Sequence, residues 1–286
     1  MSNIAVVTGA SSGVGREFVR QLDRGAGGPL DQIWVVARNA QALEVIAEQT
    51  ATPVRVFALD LTKRSSYECL RDVLDDEAPT VQWLVNSAGF GKFGDFGQIS
   101  EEDEGNMVRL NCLAVVETTY HCLPHMVAGS RVVNMASIAG LIPQPGLSTY
   151  SATKRFVVDL SRTLDYELGP VGIHVCAVCP KFMETGFLAS PGDEREVRRM
   201  TTIGYEKPAD VVRKALHAAV LGRSTCVTSP DMLAASVMAK VLPASWPTSA
   251  SSPQSTQSPR VPATRTCSCP PSSRPSCGGF VACSPT

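Results

Sequence analysis

Three observations predict an α/β protein built on a doubly wound parallel sheet. Short apolar, β-branched runs alternate with segments whose apolar residues fall at helical spacing, from Ile4 to Thr228. The runs are apolar throughout rather than alternating with polar residues, as strands covered on both faces require. A Gly-rich stretch, Gly9 to Gly15, separates the first run from the first helical segment. These features make a Rossmann arrangement in one domain, with right-handed crossovers placing helices on both faces.

The elements follow in order. Residues 4–8 (Ile-Ala-Val-Val-Thr) read as the first strand, and residues 14–24 as a helix with Val14, Phe18, Val19 and Leu22 on one face. Residues 33–37 form the second strand and 41–49 the second helix. Residues 54–59 form the third strand and 67–74 a helix, and residues 81–85 form the fourth strand, closed by Asn86-Ser87-Ala88-Gly89. One or two long helices span 101–126, entered through Ser100 with acidic residues in the first turn. Residues 131–136 are the fifth strand. Residues 149–168 are a long helix stopped by Gly169-Pro170, and residues 173–178 the sixth strand. A helix over 208–221 admits Pro208 at its start, and a short seventh strand covers 225–228. An amphipathic helix over 231–242 is expected to bring Met232, Leu233, Val237 and Leu242 to one side.

The domain is expected to span 1–242, followed by a low-complexity tail over 243–286. That tail holds nine of the 20 prolines, four of the 10 cysteines, and no Asp, Glu or Lys. It offers too little apolar area to offset its ordering entropy and reads as disordered. The abrupt change of composition resembles a change of reading frame. A formal net charge of −1 argues against nucleic acid as a partner, and no apolar stretch reaches the length of a membrane span. The first strand begins at Ile4, which leaves no room for a secretion signal, so a cytoplasmic protein is expected. Cys176 and Cys179 have C-x-x-C spacing, but no second pair or nearby His completes a tetrahedral site, and no metal is expected.

The Gly-rich stretch Thr8-Gly9-Ala10-Ser11-Ser12-Gly13-Val14-Gly15 has the strand–turn–helix context of a dinucleotide phosphate site. Gly9 permits a sharp exit from the strand, Gly13 a close backbone approach to a pyrophosphate, and Gly15 close packing of the helix. The helix start then offers N–H groups and a positive dipole end. The second strand ends Val35-Val36-Ala37-Arg38, without the carboxylate that accepts from an NAD ribose. Arg38 offers a cationic fork for a 2′-phosphate, with Ser11 and Ser12 as added hydroxyls, so NADP(H) is the expected cofactor. The alternative is an ordinary solvated arginine. Asp60 either bonds the adenine edge, with Leu61 packing beside it, or serves as a turn carboxylate in Asp-Leu-Thr. Ala88 and Gly89 keep the backbone open at the rim, and Asn86 secures the neighbouring strand as well as the cofactor.

Tyr150 and Lys154 lie four apart on one helix face. A phenol with a pKa near 10 is a weak base at neutral pH, and a neighbouring ammonium is expected to lower it. Ser137, closing the fifth strand, is placed to bond a carbonyl oxygen, and Asn111 to hold a relay water to Lys154. The value of Tyr-x-x-x-Lys lies in following the Gly-rich turn, Asn86, Asn111 and Ser137 in that order.

On these residues the chain resembles the short-chain dehydrogenase/reductase family, in its NADP-type bacterial branch, over roughly residues 3–242. The matching pieces are the turn from Thr8 to Gly15, Asp60, Asn86-Ser87-Ala88-Gly89, Asn111, Ser137 and Tyr150-Ser151-Ala152-Thr153-Lys154. The resemblance implies an NADP-dependent oxidoreductase acting on CH–OH groups. Tyr150 is then the general acid in reduction and base in oxidation. Ser137 orients the substrate oxygen, Lys154 binds the nicotinamide ribose and lowers the tyrosine pKa, and Asn111 supports the proton relay. Pro180 and Thr185 then border the nicotinamide, Thr185 holding its carboxamide. The chain departs from the family pattern at Ser87, where Asn is usual, and at Lys181, where Gly follows the proline. A lysine there is expected to crowd the cofactor or strain the backbone.

Ile138-Ala139-Gly140-Leu141-Ile142-Pro143 and the residues Phe182, Phe187 and Leu188 are expected to border an apolar pocket for a hydrophobic ketone or alcohol. Residues 191–202 read as a lid. The family resemblance further implies a homodimer or homotetramer. The alternative function is a catalytically weak or inactive NADP(H)-binding regulatory protein.

Overall fold

A computed structural model describes residues 2–142, 144–183 and 204–241, all within one compact unit, Met1–Ala250. The tail, Thr185, Phe187, Leu188 and the expected lid lie outside the described residues. Seven strands form one sheet in the order β3-β2-β1-β4-β5-β6-β7. They are β1 (Asn3–Thr8), β2 (Gln32–Ala37), β3 (Val54–Ala58), β4 (Thr80–Asn86), β5 (Arg131–Met135), β6 (His174–Cys179) and β7 (Thr225–Val227). Every neighbouring pair is parallel. This is the doubly wound Rossmann sheet expected from the sequence. Its order reverses between β1 and β4, where Thr8 pairs with Val36 on one side and Asn86 on the other. The crevice beyond these strand ends is where such sheets bind ligands.

The strands bury both faces because both alternate sets are apolar. On one face Ala5, Val7, Ile33, Val35, Val133 and Val178 meet Phe18 and Leu22 of α1 (Gly13–Asp23) and Val212 and Leu216 of α7 (Pro208–Val220). On the other face Ile4, Val6, Trp34, Val36, Leu84 and Val132 meet Leu70 and Leu74 of α3 (Arg64–Glu77) and Ala114 and Cys122 of α5 (Ala114–Cys122). The helix α2 (Ala40–Gln49) adds Leu43 and Ile46 to the first face. Cys176 and Cys179 fall into different clusters on opposite faces, so the C-x-x-C pair does not converge on one point.

Three elements differ from the sequence expectation. The one or two long helices expected over 101–126 are α4 (Glu101–Val108) and α5, joined through a π-helical turn (Arg109–Leu113). Ser100 caps α4 as expected, its hydroxyl accepting from the Asp103 N–H at 3.2 Å. The third helix is longer than its apolar stripe, because polar residues extend it at both ends. In the last helix, α8 (Pro230–Val241), Met232 and Ser236 are buried while Leu233 and Val237 are exposed, so the expected apolar face is not the packed one. Among the described residues, no helix is long and apolar enough to cross a membrane.

Candidate active site

A cleft of about 1130 Å³ runs along the C-terminal strand ends, from Arg38 and Asp60 at one end to Lys154 and Phe182 at the other. Gly9 turns the chain out of β1 with φ +67°, its N–H donating to the Val36 carbonyl at 2.8 Å. A Cβ there would lie 2.7 Å from the Ala88 nitrogen, so the turn closes onto the end of β4 only because residue 9 is glycine. A Cβ on Gly15 would lie 2.2 Å from the Gly9 oxygen, which fixes how closely α1 approaches the turn. Ser12 is the N-cap of α1, yet its side chain makes no capping bond, and no acid stands in the first turn. The hydroxyl and the helix N-terminus are therefore both open to an anion. Thr8 was missed as a functional residue by sequence reasoning. Its hydroxyl accepts from the Ser87 and Ala88 N–H groups, each at 3.1 Å, and ties the ends of β1 and β4 together at the crevice.

At the far end the exposed Arg38 and Lys63 line the cleft beside Ser11, Ser12 and the buried Leu61. Asn39 caps α2, accepting from the Ala42 N–H at 3.0 Å. Asp60 accepts at one oxygen from the Thr62 N–H and hydroxyl, at 3.0 and 2.9 Å. Burial works to raise its pKa, but these bonds and the charges of Arg38 and Lys63 outweigh burial and hold it below the usual carboxylate value. Asp60 thus performs the turn role within the cleft wall, with its second oxygen outside these bonds. The residues present suit a dinucleotide: a glycine cradle that Cβ atoms would fill, an unspent helix N-terminus, and cations rather than a carboxylate beyond β2.

The two asparagines are spent internally. Buried Asn86 donates to Asn134 Oδ1 at 2.9 Å and Thr119 Oγ1 at 3.1 Å and accepts from the Thr118 hydroxyl at 2.7 Å. It secures β4 to β5 and α5, and it is not among the residues lining the cleft. Asn111 sits in the π-helical turn and is fully buried. Its amide grips Phe90 from both sides, accepting from the Phe90 N–H at 3.0 Å and donating to the Phe90 carbonyl at 2.9 Å. It also donates to Thr153 Oγ1, one residue before Lys154, at 3.1 Å. Asn111 is the buried residue of this π turn, a conformation that recurs at functional sites and leaves no mark in the sequence.

Ser137, Tyr150 and Lys154 meet at the floor of the cleft. Ser137 caps a short 3-10 turn (Ile138–Gly140), its hydroxyl accepting from the Ala139 N–H at 3.2 Å. It is hydrogen-bonded to the Tyr150 phenol. Tyr150 and Lys154 project from α6 (Ser148–Leu168), and the ammonium lies 5.7 Å from the phenol ring centre. Lys154 Nζ donates to the Met135 carbonyl at 2.8 Å. The expected lowering of the tyrosine pKa by lysine is not the net result here. Burial pushes the phenol up to about 12, with the Ser137 bond opposing, and pushes the Lys154 ammonium down to about 8. Burial is the largest cause of both shifts, disfavouring the charged form of each group.

Gly140, expected to border the pocket, is not among the lining residues and packs against α6 instead. A Cβ there would lie 2.6 Å from the backbone carbon and oxygen of Lys154, so the turn after Ser137 rests directly on the helix carrying Tyr150. Gly89 is similarly tight: a Cβ would come within 2.8 Å of Asn111 Oδ1 and 3.4 Å of Lys154 Nζ.

The wall beyond Tyr150 is apolar. Phe90, Phe93 and Ile99 pack with Met107, Ala139, Leu147 and Tyr150, and the Phe93 and Phe182 rings stand 6.2 Å apart. Ile138, Ala139 and Phe182 line the cleft as expected, whereas Leu141 packs against Val157 and Val158 instead. Lys181 corrects an expectation. Among the described residues the single non-glycine residue at positive φ is Ala78, so lysine at 181 brings no left-handed strain. Its N–H donates to Glu206 Oε2 at 2.9 Å, and its ammonium forms an ion pair with Asp231 at the start of α8. The side chain is drawn to α8 along the rim. Among the described residues no cluster of His, Cys, Asp and Glu suits a metal ion.

A family model described as short chain dehydrogenase matches residues 3–196. An uncharacterized oxidoreductase from Staphylococcus epidermidis is 29% identical over 184 residues, 64% of this chain and 78% of that protein. A very-long-chain 3-oxoacyl-CoA reductase from Aspergillus fumigatus is 36% identical over 183 residues, 60% of this chain but 51% of that one, so the match spans about half its length. A short chain dehydrogenase/reductase from Burkholderia phymatum, solved in complex with NAD, superposes with a TM-score of 0.73 at 25% identity over 84% of this chain and 93% of that chain. A short-chain dehydrogenase from Sphingobium yanoikuyae, solved in complex with NADPH, gives 0.70 at 25% identity over 84% and 95%. With the family model covering most of the sheet and the floor of the cleft, the chain belongs to the short chain dehydrogenase family of oxidoreductases.

Proposed function

We propose that this chain is an NADP(H)-dependent oxidoreductase that interconverts a carbonyl and a secondary alcohol, with Tyr150 as general acid in reduction and general base in oxidation. The observation that carries this reading is the meeting of Ser137, Tyr150 and Lys154 in the cleft that also holds the glycine turn. When bound, the dinucleotide supplies or accepts the hydride. Gly9, Gly13, Val14 and Gly15 hold its pyrophosphate at the start of α1. Arg38, with Ser11 and Ser12, takes the 2′-phosphate. Ala88, Gly89 and Pro180 would border the nicotinamide, and Asp60 and Leu61 the adenine.

The chain's own groups move the proton. A phenol held near 12 keeps its proton at neutral pH, the state that a general acid needs. Ser137 shares a hydrogen bond with that phenol and steadies the substrate oxygen beside it. As the proton leaves Tyr150, the Lys154 ammonium, 5.7 Å from the ring centre, stabilises the phenolate. Asn111 supports this set by clamping Phe90 and Thr153 around Lys154.

The apolar wall of Phe90, Phe93, Leu147 and Phe182 favours a hydrophobic ketone or alcohol. A homodimer or homotetramer is supported by exposed Val108, Leu113, Val116 and Tyr120 along the α4–α5 run and Phe156 on α6. The six described cysteines are free thiols, which suits a reducing compartment and supports a cytoplasmic location. Titration of the protein with NADPH and NADH, then a panel of carbonyls, tests this reading. Tight NADPH binding without turnover of any carbonyl would instead favour a regulatory binding protein.

A further inference from the structure

We infer that Lys63 is a second cation of the 2′-phosphate site and that it sets the preference for NADPH over NADH by outweighing the carboxylate of Asp60. This rests on the proposed NADP(H) reading and extends it to a residue beyond the end of β2. Three charged residues line the cleft after β2 and β3: Arg38, Asp60 and Lys63. The two segments are held side by side. Ala37 pairs with Ala58 in the sheet, and the Leu59 N–H donates to the Ala37 carbonyl at 3.0 Å. Both cations act on the Asp60 carboxyl group. Arg38 and Asp60 alone leave this end of the cleft neutral, and a carboxylate beside a 2′-phosphate repels it. Lys63 turns the balance positive.

The helix that follows does not explain the lysine. Lys63 is the N-cap of α3, and its side chain makes no capping bond. Ser, Thr, Asp and Asn are the preferred residues there, and a cation is disfavoured at a helix start. The next residue, Arg64, pairs with Glu68 at 3.2 Å, and no acid stands in the first turn. Among the described residues neither Arg38 nor Lys63 has a side-chain hydrogen bond or an ion pair. The backbone beneath Lys63 is fixed: its N–H donates to the Asp60 carbonyl at 2.9 Å, and the Ser66 hydroxyl donates to the same carbonyl at 2.7 Å. A cation anchored to the residue whose charge it offsets, against the preference of its own helix, fits a phosphate dianion better than a solvated surface charge.

NADPH and NADH differ only by the 2′-phosphate, and binding of each to the full-length protein is read by nicotinamide fluorescence, without turnover. Lys63→Ser puts a preferred N-cap residue at this position, so α3 keeps its start. It is expected to raise the Kd for NADPH about tenfold and to leave that for NADH within about twofold. Lys63→Arg, which keeps the charge, is expected to hold the unmodified ratio within about twofold. A ratio unchanged in Lys63→Ser, or an equal weakening of both cofactors, overturns the inference. If the ratio survives in Lys63→Ser but is lost in Arg38→Ala, the NADP(H) reading stands and Lys63 lies outside the site. Equal affinity for the two cofactors in the unmodified protein contradicts the NADP(H) reading, and the inference with it.

Discussion

Gly140 lies against the backbone of Lys154, with room for no side-chain atom between them: a Cβ on Gly140 would fall 2.6 Å from the Lys154 carbonyl. The turn that carries Ser137 and the helix that carries Tyr150 therefore meet backbone to backbone at this point. Gly140→Ala is expected to push them apart, costing about 1–3 kcal/mol of stability. It should lower kcat more than it raises the Kd for NADPH, since the phosphate turn lies at the other end of the cleft. Denaturant melts and single-turnover reduction measure both; a variant with unchanged stability and kcat contradicts the contact.

Arg38→Asp is expected to reverse cofactor choice. It removes the cationic fork and installs the carboxylate that an NAD ribose uses. The ratio of kcat/KM for NADPH over NADH should fall by about 10²-fold or more, given charge-assisted bonds of about 1.5–3 kcal/mol and a new repulsion. An unchanged ratio assigns Arg38 to solvent.

The cofactor-free protein should change stability with pH through Lys154 and Tyr150. Lys154 is lowered by burial from 10.5 to about 8, so between those values the folded chain sheds a proton that the unfolded chain keeps. Stability therefore rises over that window, by about 3 kcal/mol in all, and the burial penalty is present in full below pH 8. Tyr150 is raised from 10.0 to about 12, so above pH 10 the unfolded chain loses its proton first and stability falls. The buried thiols, raised above 9 by burial, oppose this rise above pH 9, so urea melts from pH 7 to 10 should show Lys154→Met gaining less, or losing more, stability with pH than the unmodified protein. An equal slope in Lys154→Met contradicts this assignment.

Lys181 gives a prediction that separates strain from tethering. Its backbone is outside the left-handed region, and its ammonium pairs with Asp231. Lys181→Gly should therefore destabilise the protein, by about 0.5–1 kcal/mol through backbone entropy alone and further through the lost tether, rather than relieve it. Thermal melts decide the sign; a stabilised Lys181→Gly would show that the lysine is strained.

The alternation of apolar runs and helical stripes made the sheet legible, because a strand covered on both faces has little compositional freedom. Ile33 to Ala37 and Val54 to Ala58 stand within a residue of their expected bounds for that reason. The glycine turn, Ser137, Tyr150 and Lys154 were legible because spacing on a helix or at a strand end fixes where a side chain points. Other features depended on partners distant in sequence. Gly140 matters through Lys154, Thr8 through Ala88, and Lys181 through Glu206 and Asp231, pairings that no local pattern encodes. The π turn around Asn111 is set by packing between α4, α5 and α6, not by a residue preference within Arg109–Leu113.

The most direct measurement of the central claim is single-turnover reduction of a hydrophobic ketone by NADPH, comparing the unmodified protein with Tyr150→Phe. If the phenol is the general acid, the variant should retain NADPH binding while the hydride-transfer rate falls by about 10²-fold or more. Equal rates in the two proteins, with binding intact in both, would contradict the assignment of Tyr150 and the mechanism built on it.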